Sequence, residues 1–559
     1  MFGTEKPWLK VYEGHAEVET EVFDGSLYDF FRMSAEEHRG KTALTFYGTT
    51  FEFERLQALV EKMAASLAAG GVSKGDRVAL MLPNCPQYVI SFFATVRLGA
   101  IVTQLNPMYV EREIEHILTD SGAETIIVYK DMYPRVRNVL PQTRLRDVIV
   151  VDFTGEPEGL EPGHRSFAGF LATDADPAPD VDIDPAEDVA ALQYTGGTTG
   201  VSKGAMLTHR NLVANVQQSL DLFIDDPAAF SNNQKVMGML PMFHIFGLTC
   251  VMLFAIRQGL NQLLVPKFDP QEVMDLVRDN SPVMFSGVPT MYMAINAGGA
   301  DLMKYGFGKV RTYNCGGSAL PVPLKRAFEE KTGRPLFEGY GLSEASPVTH
   351  FNPPFAGVGR EGSIGVPVTS TDARVVDVET GEREMPVGEP GELVVKGPQV
   401  MKGYLNMPEE TATTLRNGWL YTGDMARMDE EGYFYIVDRK KDMILASGYN
   451  VYPREIEEVL FEHPDVSEAI AIGVPDEYRG ESVKAFVVKK PGSPATEEEI
   501  LAFCKERLAP YKAPKSLEFR DELPKSTVGK LLRRVLADEE RAKAAATASP
   551  AAPPPPPPS

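Results

Sequence analysis

The sequence is poor in cysteine, and none of its four cysteines forms a close pair. Cys85, Cys250, Cys315 and Cys504 stand far apart in a chain of 559 residues. This spacing excludes a disulfide framework and a CxxC-type zinc site. It favours a reducing compartment such as the cytoplasm, where these residues serve as small buried hydrophobic side chains.

Positive charge is also scarce. The chain has 56 lysines and arginines against 78 aspartates and glutamates, for a formal net charge of −22. Because nucleic-acid binding requires a basic surface, we predict no nucleic-acid partner. An anionic substrate must therefore find its positive charges locally, within a binding site.

Long apolar runs are nearly absent. The segment 237–256 carries no formal charge, but it contains Pro241, His244 and Gly247. These residues favour a buried strand, loop and helix over a membrane span. The first ten residues are followed by acidic residues and not by the apolar segment of a signal peptide. We expect a cytoplasmic location.

The chain is too long for one hydrophobic core, so several domains are expected. Residue patterns predict helices at 56–67, 271–278 and 323–330, and strands at 78–82, 125–129, 148–151, 262–265 and 283–286. This alternation indicates an α/β fold with largely parallel sheets. From Gly391 onward the pattern changes to short β-rich pieces, 392–396 and 433–437. We predict a large domain over 1–440, made of stacked α/β subdomains and a β-rich subdomain.

A second pattern begins near Lys441. It predicts a helix at 453–462, strands at 469–474 and 483–488, and a helix at 497–508. Such a unit, over 441–540, has the size of a small α+β domain. The remaining tail, 541–559, is almost entirely alanine and proline from residue 544 onward. It cannot bury a core, and we predict that it is disordered.

The most informative segment reads Tyr-Thr-Gly-Gly-Thr-Thr-Gly-Val-Ser-Lys-Gly over 194–204. Its glycines allow backbone N–H groups to face an anion, its threonine hydroxyls add hydrogen-bond donors, and its lysine adds a positive charge. The residues with these roles are Thr195, Gly196, Gly197, Thr198, Thr199, Gly200 and Lys203. It is not a Walker A loop, because Lys203 precedes Gly204 rather than a serine or threonine. An apolar strand at 189–192 and an amphipathic run at 209–220 flank it. We predict a strand–loop–helix site for a polyphosphate.

Four further segments carry chemistry. Glycines beside an aromatic in 338–344 suit a flat ring, and Glu344 offers an oxygen ligand for Mg²⁺. Asp424 follows a turn, as suits a ribose diol. The segment 438–444 is dense in charge and reads either as a functional loop or as a solvated turn. A lysine follows a glycine in 524–530, where a solvated surface position is the alternative.

Taken together in this order, these segments resemble the adenylate-forming superfamily, which comprises acyl-CoA synthetases, adenylation domains and beetle luciferases. The resemblance covers 27–537. Within the superfamily the likeness points to bacterial long-chain fatty-acid–CoA ligases. It rests on residues 241–247, 362–367, 396–404 and 438–455, and it continues through 478–484.

The resemblance implies roles for individual residues. Thr195 and Glu344 are expected to hold Mg²⁺, and the loop from Thr195 to Lys203 is expected to wrap the β- and γ-phosphates. Further nucleotide contacts are expected at Gly317, Ser318, Glu338, Gly339, Tyr340, Gly341 and Ser343, and ribose contacts at Asp424 and Arg439. Lys441 is expected to be the hinge of a mobile small domain, Gly448 to approach the pantetheine arm of CoA, and Lys530 to bridge the carboxylate and the α-phosphate.

The implied activity is ATP-dependent ligation of a medium- or long-chain fatty acid to coenzyme A through an acyl-AMP. Two alternatives stay open. The first is a related ligase with a different substrate or product, which acts on aryl or short-chain acids or stops at fatty-acyl-AMP. The second is a non-catalytic nucleotide- or fatty-acid-binding protein of the same fold. Relatives are often homodimers, and a lipid-soluble substrate is compatible with peripheral membrane contact.

The sequence departs from the family pattern in three places. Gly196 replaces a usual serine or threonine, and Ser343 replaces a usual threonine. Neither change removes a charge, so we expect activity to survive. The only tryptophans are Trp8 and Trp419, so no tryptophan gates an acyl tunnel near 241–247. His244 or Phe246 could replace it, the tunnel could be ungated, or His244 could be a core residue.

Overall fold

The computed structural model describes residues 5–195, 202–223, 230, 234–357, 359–446, 449–476, 480–526 and 531–547. They form two compact units. The first contains the residues up to 422 together with 426–436, and the second contains 423–425 together with the residues from 437 onward.

The strands of the first unit, some of which continue into the second, are short and mostly buried. They are β1 (Thr42–Phe46), β2 (Thr49–Glu52), β3 (Arg77–Met81), β4 (Ile101–Gln104), β5 (Thr125–Tyr129), β6 (Asp147–Val151), β7 (Arg165–Ser166), β8 (Val189–Thr195), β9 (Lys203–Thr208), β10 (Lys235–Gly238), β11 (Asn261–Leu264), β12 (Met284–Gly287), β13 (Thr312–Cys315), β14 (Leu336–Gly341), β15 (Val348–Phe351), β16 (Val366–Pro367), β17 (Asp372–Val376), β18 (Gly391–Lys396), β19 (Gly403–Tyr404), β20 (Leu415–Arg416), β21 (Trp419–Met428) and β22 (Phe434–Arg439).

The helices of the first unit connect these strands. They are α1 (Leu9–Tyr12), α2 (Leu27–Glu37), α3 (Phe53–Ala69), α4 (Pro86–Arg97), α5 (Glu111–Ser121), α6 (Tyr133–Val139), α7 (Phe167–Leu171), α8 (His209–Phe223), α9 (Ile245–Gly247), α10 (Phe254–Gln258), α11 (Pro270–Asn280), α12 (Pro289–Ala297), α13 (Val322–Thr332) and α14 (Pro408–Thr414). A π-helical segment, Leu248–Leu253, joins α9 to α10. The expected buried strand, loop and helix over 237–256 is therefore confirmed.

Two large sheets organise this unit. One has the strand order β19-β9-β8-β4-β3-β5-β6-β7, and the other has the order β16-β15-β14-β13-β12-β10-β11-β1-β2. Parallel pairing dominates the centre of both, with antiparallel strands at the edges. A third sheet, of β17, β18, β21 and β20 with β22 beside β21, forms the β-rich part. This is the predicted α/β architecture.

The largest core cluster packs α2, α3, α4 and α8 against the sheets. In α3, apolar side chains recur at helical spacing and are fully buried at Leu56, Val60 and Met63, and the helix ends before Gly70 as predicted. Phe31 of α2 stacks on Phe93 of α4 with 4.1 Å between ring centroids. Burying each such side chain contributes about 1.5–3 kcal/mol, so this packing fixes the layers that carry the strands.

The expected strand at 189–192 and helix at 209–220 are confirmed, but the prediction that the whole segment 194–204 is a loop between them is wrong. Lys203 does not lie in a loop before a helix: it begins β9, which pairs antiparallel with β8, and α8 follows at His209. Thr195 at the end of β8 is directly opposite Lys203. The extra strand forms because β9 can pair on both sides, with β8 and with β19. The segment is therefore a hairpin between sheet strands.

The second unit has its own sheet and core. Its elements are α15 (Pro453–Glu462), α16 (Glu497–Arg507), α17 (Arg533–Thr547), β23 (Ile444–Ala446), β24 (Tyr449–Val451), β25 (Val466–Asp476), β26 (Gly480–Lys489) and β27 (Ser516–Phe519). The strand order is β24-β23-β26-β25, with β27 parallel to β26. Thr496 and Glu499 form a capping box that begins α16.

The start of the tail differs from the expectation. Helix α17 continues to Thr547, beyond the expected end of folded structure at residue 540, because alanine has the highest helix propensity. Residues 548–559 lie outside the described part of the chain. All four cysteines are buried and unpaired, as expected. No helix in the described ranges combines the length and apolar character that crossing a bilayer requires.

Candidate nucleotide-binding site

The site begins where two neighbouring parallel strands end. Strand β13 ends at Cys315, opposite Glu338 of β14. Gly316 and Gly317 follow β13, and a 3₁₀ turn, Ser343–Ala345, follows β14. The carboxyl ends of parallel strands form the usual ligand-binding edge of an α/β sheet. The predicted residues of both segments are thus brought to one edge.

Glu338 holds these two segments together. Its buried carboxylate accepts a hydrogen bond of 3.1 Å from the backbone N–H of Leu320, and its carbonyl oxygen accepts one of 2.9 Å from the side chain of Asn352. The carboxylate therefore provides the hydrogen-bond acceptor for a backbone N–H group of the turn after β13. Ser318, in the same turn, is half-buried.

The glycines of β14 are required by close approach. A Cβ at Gly341 would lie 2.2 Å from the carbonyl oxygen of Pro347, and one at Gly339 would lie 2.8 Å from the ring of Phe351. Between them, Tyr340 is half-buried and meets His350 edge-on, with 6.0 Å between ring centroids. The backbone can come this close only because both positions lack a side chain.

Glu344 lies in the 3₁₀ turn, which packs against β8 and β9. Its carboxylate accepts a 2.7 Å hydrogen bond from the hydroxyl of Tyr404, and its carbonyl oxygen accepts one of 2.8 Å from the backbone of Met401. Burial and the neighbouring Glu344 charge raise the pKa of Tyr404 above its ordinary value, so the hydroxyl remains a donor. Half-buried Ser343 precedes Glu344 in the same turn.

The hairpin of β8 and β9 brings two more predicted residues to this place. Thr195 is half-buried, and its carbonyl oxygen accepts a 2.8 Å hydrogen bond from Ser202. The ammonium of Lys203 forms an ion pair with Glu410 and lies 5.1 Å from the ring centroid of Tyr404. Five predicted residues of the connecting loop lie outside the described residues: Gly196, Gly197, Thr198, Thr199 and Gly200.

Tyr404 and Glu410 were missed by sequence reasoning. The motif over 396–404 contributed to the family resemblance but suggested no role for its tyrosine. The described ranges contain no group of three histidine, cysteine, aspartate or glutamate side chains arranged to hold a metal. The Glu344 carboxylate is a hard oxygen donor that fits Mg²⁺, with phosphate oxygens as the natural further ligands.

The segment 241–247, near which the family resemblance places the acyl tunnel, lies close to the turn after β13. Gly247 leaves room for the carbonyl oxygen of Pro241, which would be 2.2 Å from a Cβ there. His244 caps the helix that follows, since its Nδ1 accepts a 3.2 Å hydrogen bond from the backbone of Phe246. A Cβ at Gly316 would contact the Phe246 ring at 3.3 Å. Buried Asn84, also missed, accepts a 2.8 Å hydrogen bond from the backbone of Met242.

The second unit contains the predicted ribose residues. Asp424 and Arg439 form an ion pair with 3.5 Å between Oδ1 and Nε. The backbone N–H of Lys440 donates to the carbonyl of Gly423 over 3.0 Å, so the segment that carries Arg439 and Lys441 is fixed beside Asp424. The structure therefore brings Asp424 and Arg439 together. Gly448 and Lys530 lie outside the described residues.

Arg533 of α17 pairs with the carboxylates of Asp438 and Glu457 in the second unit. It donates two hydrogen bonds to Glu457, of 2.6 and 3.1 Å, and one of 3.0 Å to Asp438. Asp438 also accepts backbone N–H groups of Arg439 and Arg454. Burial raises the pKa of both carboxyl groups, and the Arg533 charge opposes that shift. This cluster joins the segment after residue 530 to the segment before Lys441.

Two family profiles match the chain. One, described as AMP-binding enzyme, matches residues 31–405, and a second, described as AMP-binding enzyme C-terminal domain, matches residues 455–530. The chain belongs to the AMP-binding enzyme family. The predicted resemblance to adenylate-forming enzymes is confirmed.

Curated members of the family are similar over almost the whole chain. A long-chain-fatty-acid–CoA ligase of Bacillus subtilis strain 168 is 45% identical over 557 residues, which cover 96% of this chain and 98% of the relative. One of Escherichia coli O6:H1 is 42% identical over 570 residues, covering 96% and 99%. A feruloyl-CoA synthase of Amycolatopsis is 38% identical over 496 residues, covering 88% and 94%.

Solved structures share the fold. ATP-bound MatB from Rhodopseudomonas palustris superimposes with a TM-score of 0.82 at 31% identity, covering 92% of this chain and 98% of MatB. The anthranilate CoA ligase AuaEII, in complex with anthranoyl-AMP, gives a TM-score of 0.85 at 28% identity, covering 93% and 98%. These similarities confirm the predicted fold class.

Proposed function

We propose that this enzyme joins a medium- or long-chain fatty acid to coenzyme A, consuming ATP and releasing AMP and pyrophosphate. The observation that carries the proposal is the 45% identity to a long-chain-fatty-acid–CoA ligase over 96% of this chain. The grouping of Thr195, Lys203 and Glu344 at the ends of sheet strands supports it, because these residue types suit a bound triphosphate.

In the first half-reaction an oxygen of the fatty carboxylate attacks the α-phosphorus of ATP. A bond forms between that oxygen and phosphorus, and the bond to pyrophosphate breaks. No general base is needed, since the carboxylate is already ionised at neutral pH. The barrier is the repulsion between anions, so positioning and charge neutralisation provide the catalysis.

The chain's residues are assigned to these tasks as follows. Thr195 and Glu344 would hold Mg²⁺, and the bound ion would supply positive charge that neutralises the phosphates. The segment 195–203 binds the β- and γ-phosphates. The segments at 317–318 and 338–343 border the adenine, and Asp424 and Arg439 bind the ribose. Lys530 bridges the carboxylate and the α-phosphate.

In the second half-reaction the CoA thiol attacks the acyl carbon and AMP leaves. The thiol and Lys530 must approach the same acyl group, and both cannot occupy that position at once. We assign the exchange to a rotation at Lys441, which withdraws Lys530 and presents the loop at Gly448. Dimer formation and peripheral membrane contact are further proposals that rest on the family resemblance alone.

An aryl acid is the second candidate substrate, because a feruloyl-CoA synthase is 38% identical over 88% of this chain. Both candidates share the chemistry and differ only in the acid. The deciding experiment measures pyrophosphate release and CoA-thioester formation with saturated acids from hexanoate to stearate and with ferulate. Highest kcat/KM for a medium- or long-chain acid supports the proposal, whereas preference for ferulate assigns the aryl activity. Acyl-AMP that accumulates with CoA present and forms no thioester would contradict both.

Lys530→Ala separates the two half-reactions. We expect it to abolish acyl-AMP formation from ATP, while thioester formation from supplied acyl-AMP continues, since Lys530 acts on the α-phosphate only during adenylation. Equal loss of both half-reactions would contradict the role assigned to Lys530.

A further inference from the structure

Lys203 has a counter-ion that the binding role alone does not require. Its side chain is only 10% exposed, and its ammonium forms an ion pair with the Glu410 carboxylate. The ammonium also lies 5.1 Å from the centroid of the Tyr404 ring, a distance typical of a cation–π contact. In the part of the chain that the structure describes, no second carboxylate forms an ion pair with Lys203.

Glu410 is held in place by the start of α14. The backbone N–H of Tyr404 donates a 2.9 Å hydrogen bond to the hydroxyl of Thr411, and that hydroxyl donates to the carbonyl of Met407 over 2.9 Å. The first turn of α14 is therefore fixed to β19, next to β9. Glu410 itself is 39% exposed, so its carboxylate can be reached and displaced from the solvent side.

The two ends of this ion pair differ in exposure and in the element that carries them. Lys203 belongs to a strand that pairs on both sides, whereas Glu410 extends from a short helix. A buried ammonium is costly without an anionic partner, so an empty site benefits from Glu410. A triphosphate brings several negative charges to the same ammonium and is repelled by a carboxylate already there.

We infer that Glu410 is a displaceable counter-ion: it neutralises Lys203 in the nucleotide-free enzyme, and a phosphate group of ATP takes its place. Glu410 is thus a positioning residue that sets the affinity for ATP. The inference rests on the proposed function only in taking Lys203 as a phosphate ligand.

The test compares MgATP binding by isothermal titration calorimetry in the full-length wild type and five variants. Glu410→Gln removes the negative charge and keeps the shape, and we expect its dissociation constant to fall about three- to fivefold, as for loss of one partly exposed charge contact. Glu409→Gln is the matched control, because Glu409 is an exposed acid in the same helical turn. We expect its dissociation constant to remain within about twofold of the wild type.

A double-mutant cycle supplies the specific readout. In a Lys203→Met background the charge that Glu410 neutralises is gone, and we expect Glu410→Gln to leave the dissociation constant unchanged. In steady-state assays, most of the effect of Glu410→Gln should fall on KM for ATP and not on kcat. Glu410→Asp, which keeps the charge on a shorter side chain, should bind MgATP with intermediate affinity and serves if Glu410→Gln does not fold.

Weaker or unchanged MgATP binding by Glu410→Gln would overturn the inference. An equal increase in MgATP affinity in Glu409→Gln would also overturn it, as would an increase caused by Glu410→Gln in the Lys203→Met background. The binding measurement does not depend on the acid substrate. If the wild type binds MgATP but no acid yields pyrophosphate, the proposed ligase activity fails while the comparison at Glu410 still stands.

Discussion

The hydroxyl of Tyr404 donates a 2.7 Å hydrogen bond to the carboxylate of Glu344. The donor lies on β19 and the acceptor on the turn after β14, so one bond joins two parts of the site. It orients the carboxylate that we assign to Mg²⁺, and second-layer bonds of this kind tune metal ligands.

Tyr404→Phe should therefore weaken the response to Mg²⁺. Losing one hydrogen bond to a charged group costs about 1.5–3 kcal/mol, and we expect at least a tenfold fall in kcat/KM for acyl-AMP formation. Pyrophosphate exchange measured across a Mg²⁺ titration should show a raised half-saturating concentration. Tyr133→Phe is the control, since its hydroxyl bonds to His164 and not to a residue of the site. An unchanged Mg²⁺ titration in Tyr404→Phe would contradict the assignment.

Gly341→Ala should disturb the same turn by steric conflict. Its new Cβ would lie 2.2 Å from the carbonyl oxygen of Pro347, which is backbone and cannot rotate away. Displacing Glu344 by a fraction of an ångström should reduce adenylation at least tenfold, because misplacement of catalytic groups is expensive. Gly298→Ala is the matched control: its φ is −68°, and the nearest atom would be 3.8 Å away. Wild-type adenylation by Gly341→Ala would show that the turn adapts.

Arg533→Gln should destabilise the second unit. It removes three hydrogen bonds and leaves two buried carboxylates, Asp438 and Glu457, without their cation. Breaking a buried ion pair from one side costs about 3–5 kcal/mol. Arg534→Gln is the neighbouring control, because Arg534 is 56% exposed in its ion pair with Asp538 and should contribute less than about 1 kcal/mol. Urea unfolding followed by limited proteolysis of the second unit measures both, and similar effects of the two changes would refute the prediction.

The free energy of unfolding should decrease as the pH is lowered below about 6.5, because of His209. Burial lowers the pKa of this histidine to about 4, and its Nδ1 accepts a 3.1 Å hydrogen bond from the backbone of Leu27, which a protonated ring cannot do. The unfolded chain binds a proton near the ordinary pKa of about 6.5, whereas the folded chain resists protonation until about pH 4. The contribution of His209 is complete above pH 6.5 and is lost between these values.

The expected loss from His209 at pH 5 is about 1–2 kcal/mol. Thermal unfolding midpoints of the wild type and His209→Gln between pH 7 and pH 5 test this, and the variant should show the shallower decline. His15→Gln, at an exposed histidine that stacks on Phe355, should decline like the wild type. Parallel curves for the wild type and His209→Gln would exclude the buried histidine as the cause.

Local residue patterns predicted a helix or strand well where the pattern lies entirely within that element. The predicted helix at 453–462 and the predicted strand at 125–129 coincide with α15 and β5, because helical spacing and an apolar run are properties of the segment itself. Strand β9 was missed because it pairs with β8 across the glycine-rich segment and, on its other edge, with β19, far along the chain. A glycine-rich neighbour and a following amphipathic helix gave no sign of that partner.

The same contrast between local sequence signals and long-range contacts holds for the candidate site. Residue types identified Glu344 and Lys203 as candidates, but not the side chains that contact them. Tyr404 is 60 positions from Glu344, and Glu410 is 207 positions from Lys203. Pairs this distant follow from tertiary packing and leave no periodic trace in one sequence. The roles of all the site residues stay predictions, and Gly448, Lys530 and residues 196–200 lie outside the described part of the chain.

The pairing of β19 with β9 also bears on how the protein is made. The outer edge of β9 is completed by Gly403 and Tyr404, which leave the ribosome long after Thr208. Until then a nascent chain exposes unpaired backbone groups on that edge, the kind of surface that recruits other strands. Fragments that stop before residue 403 should therefore associate with one another, and the edge of the β8–β9 hairpin should be completed only once Gly403 and Tyr404 have been synthesised.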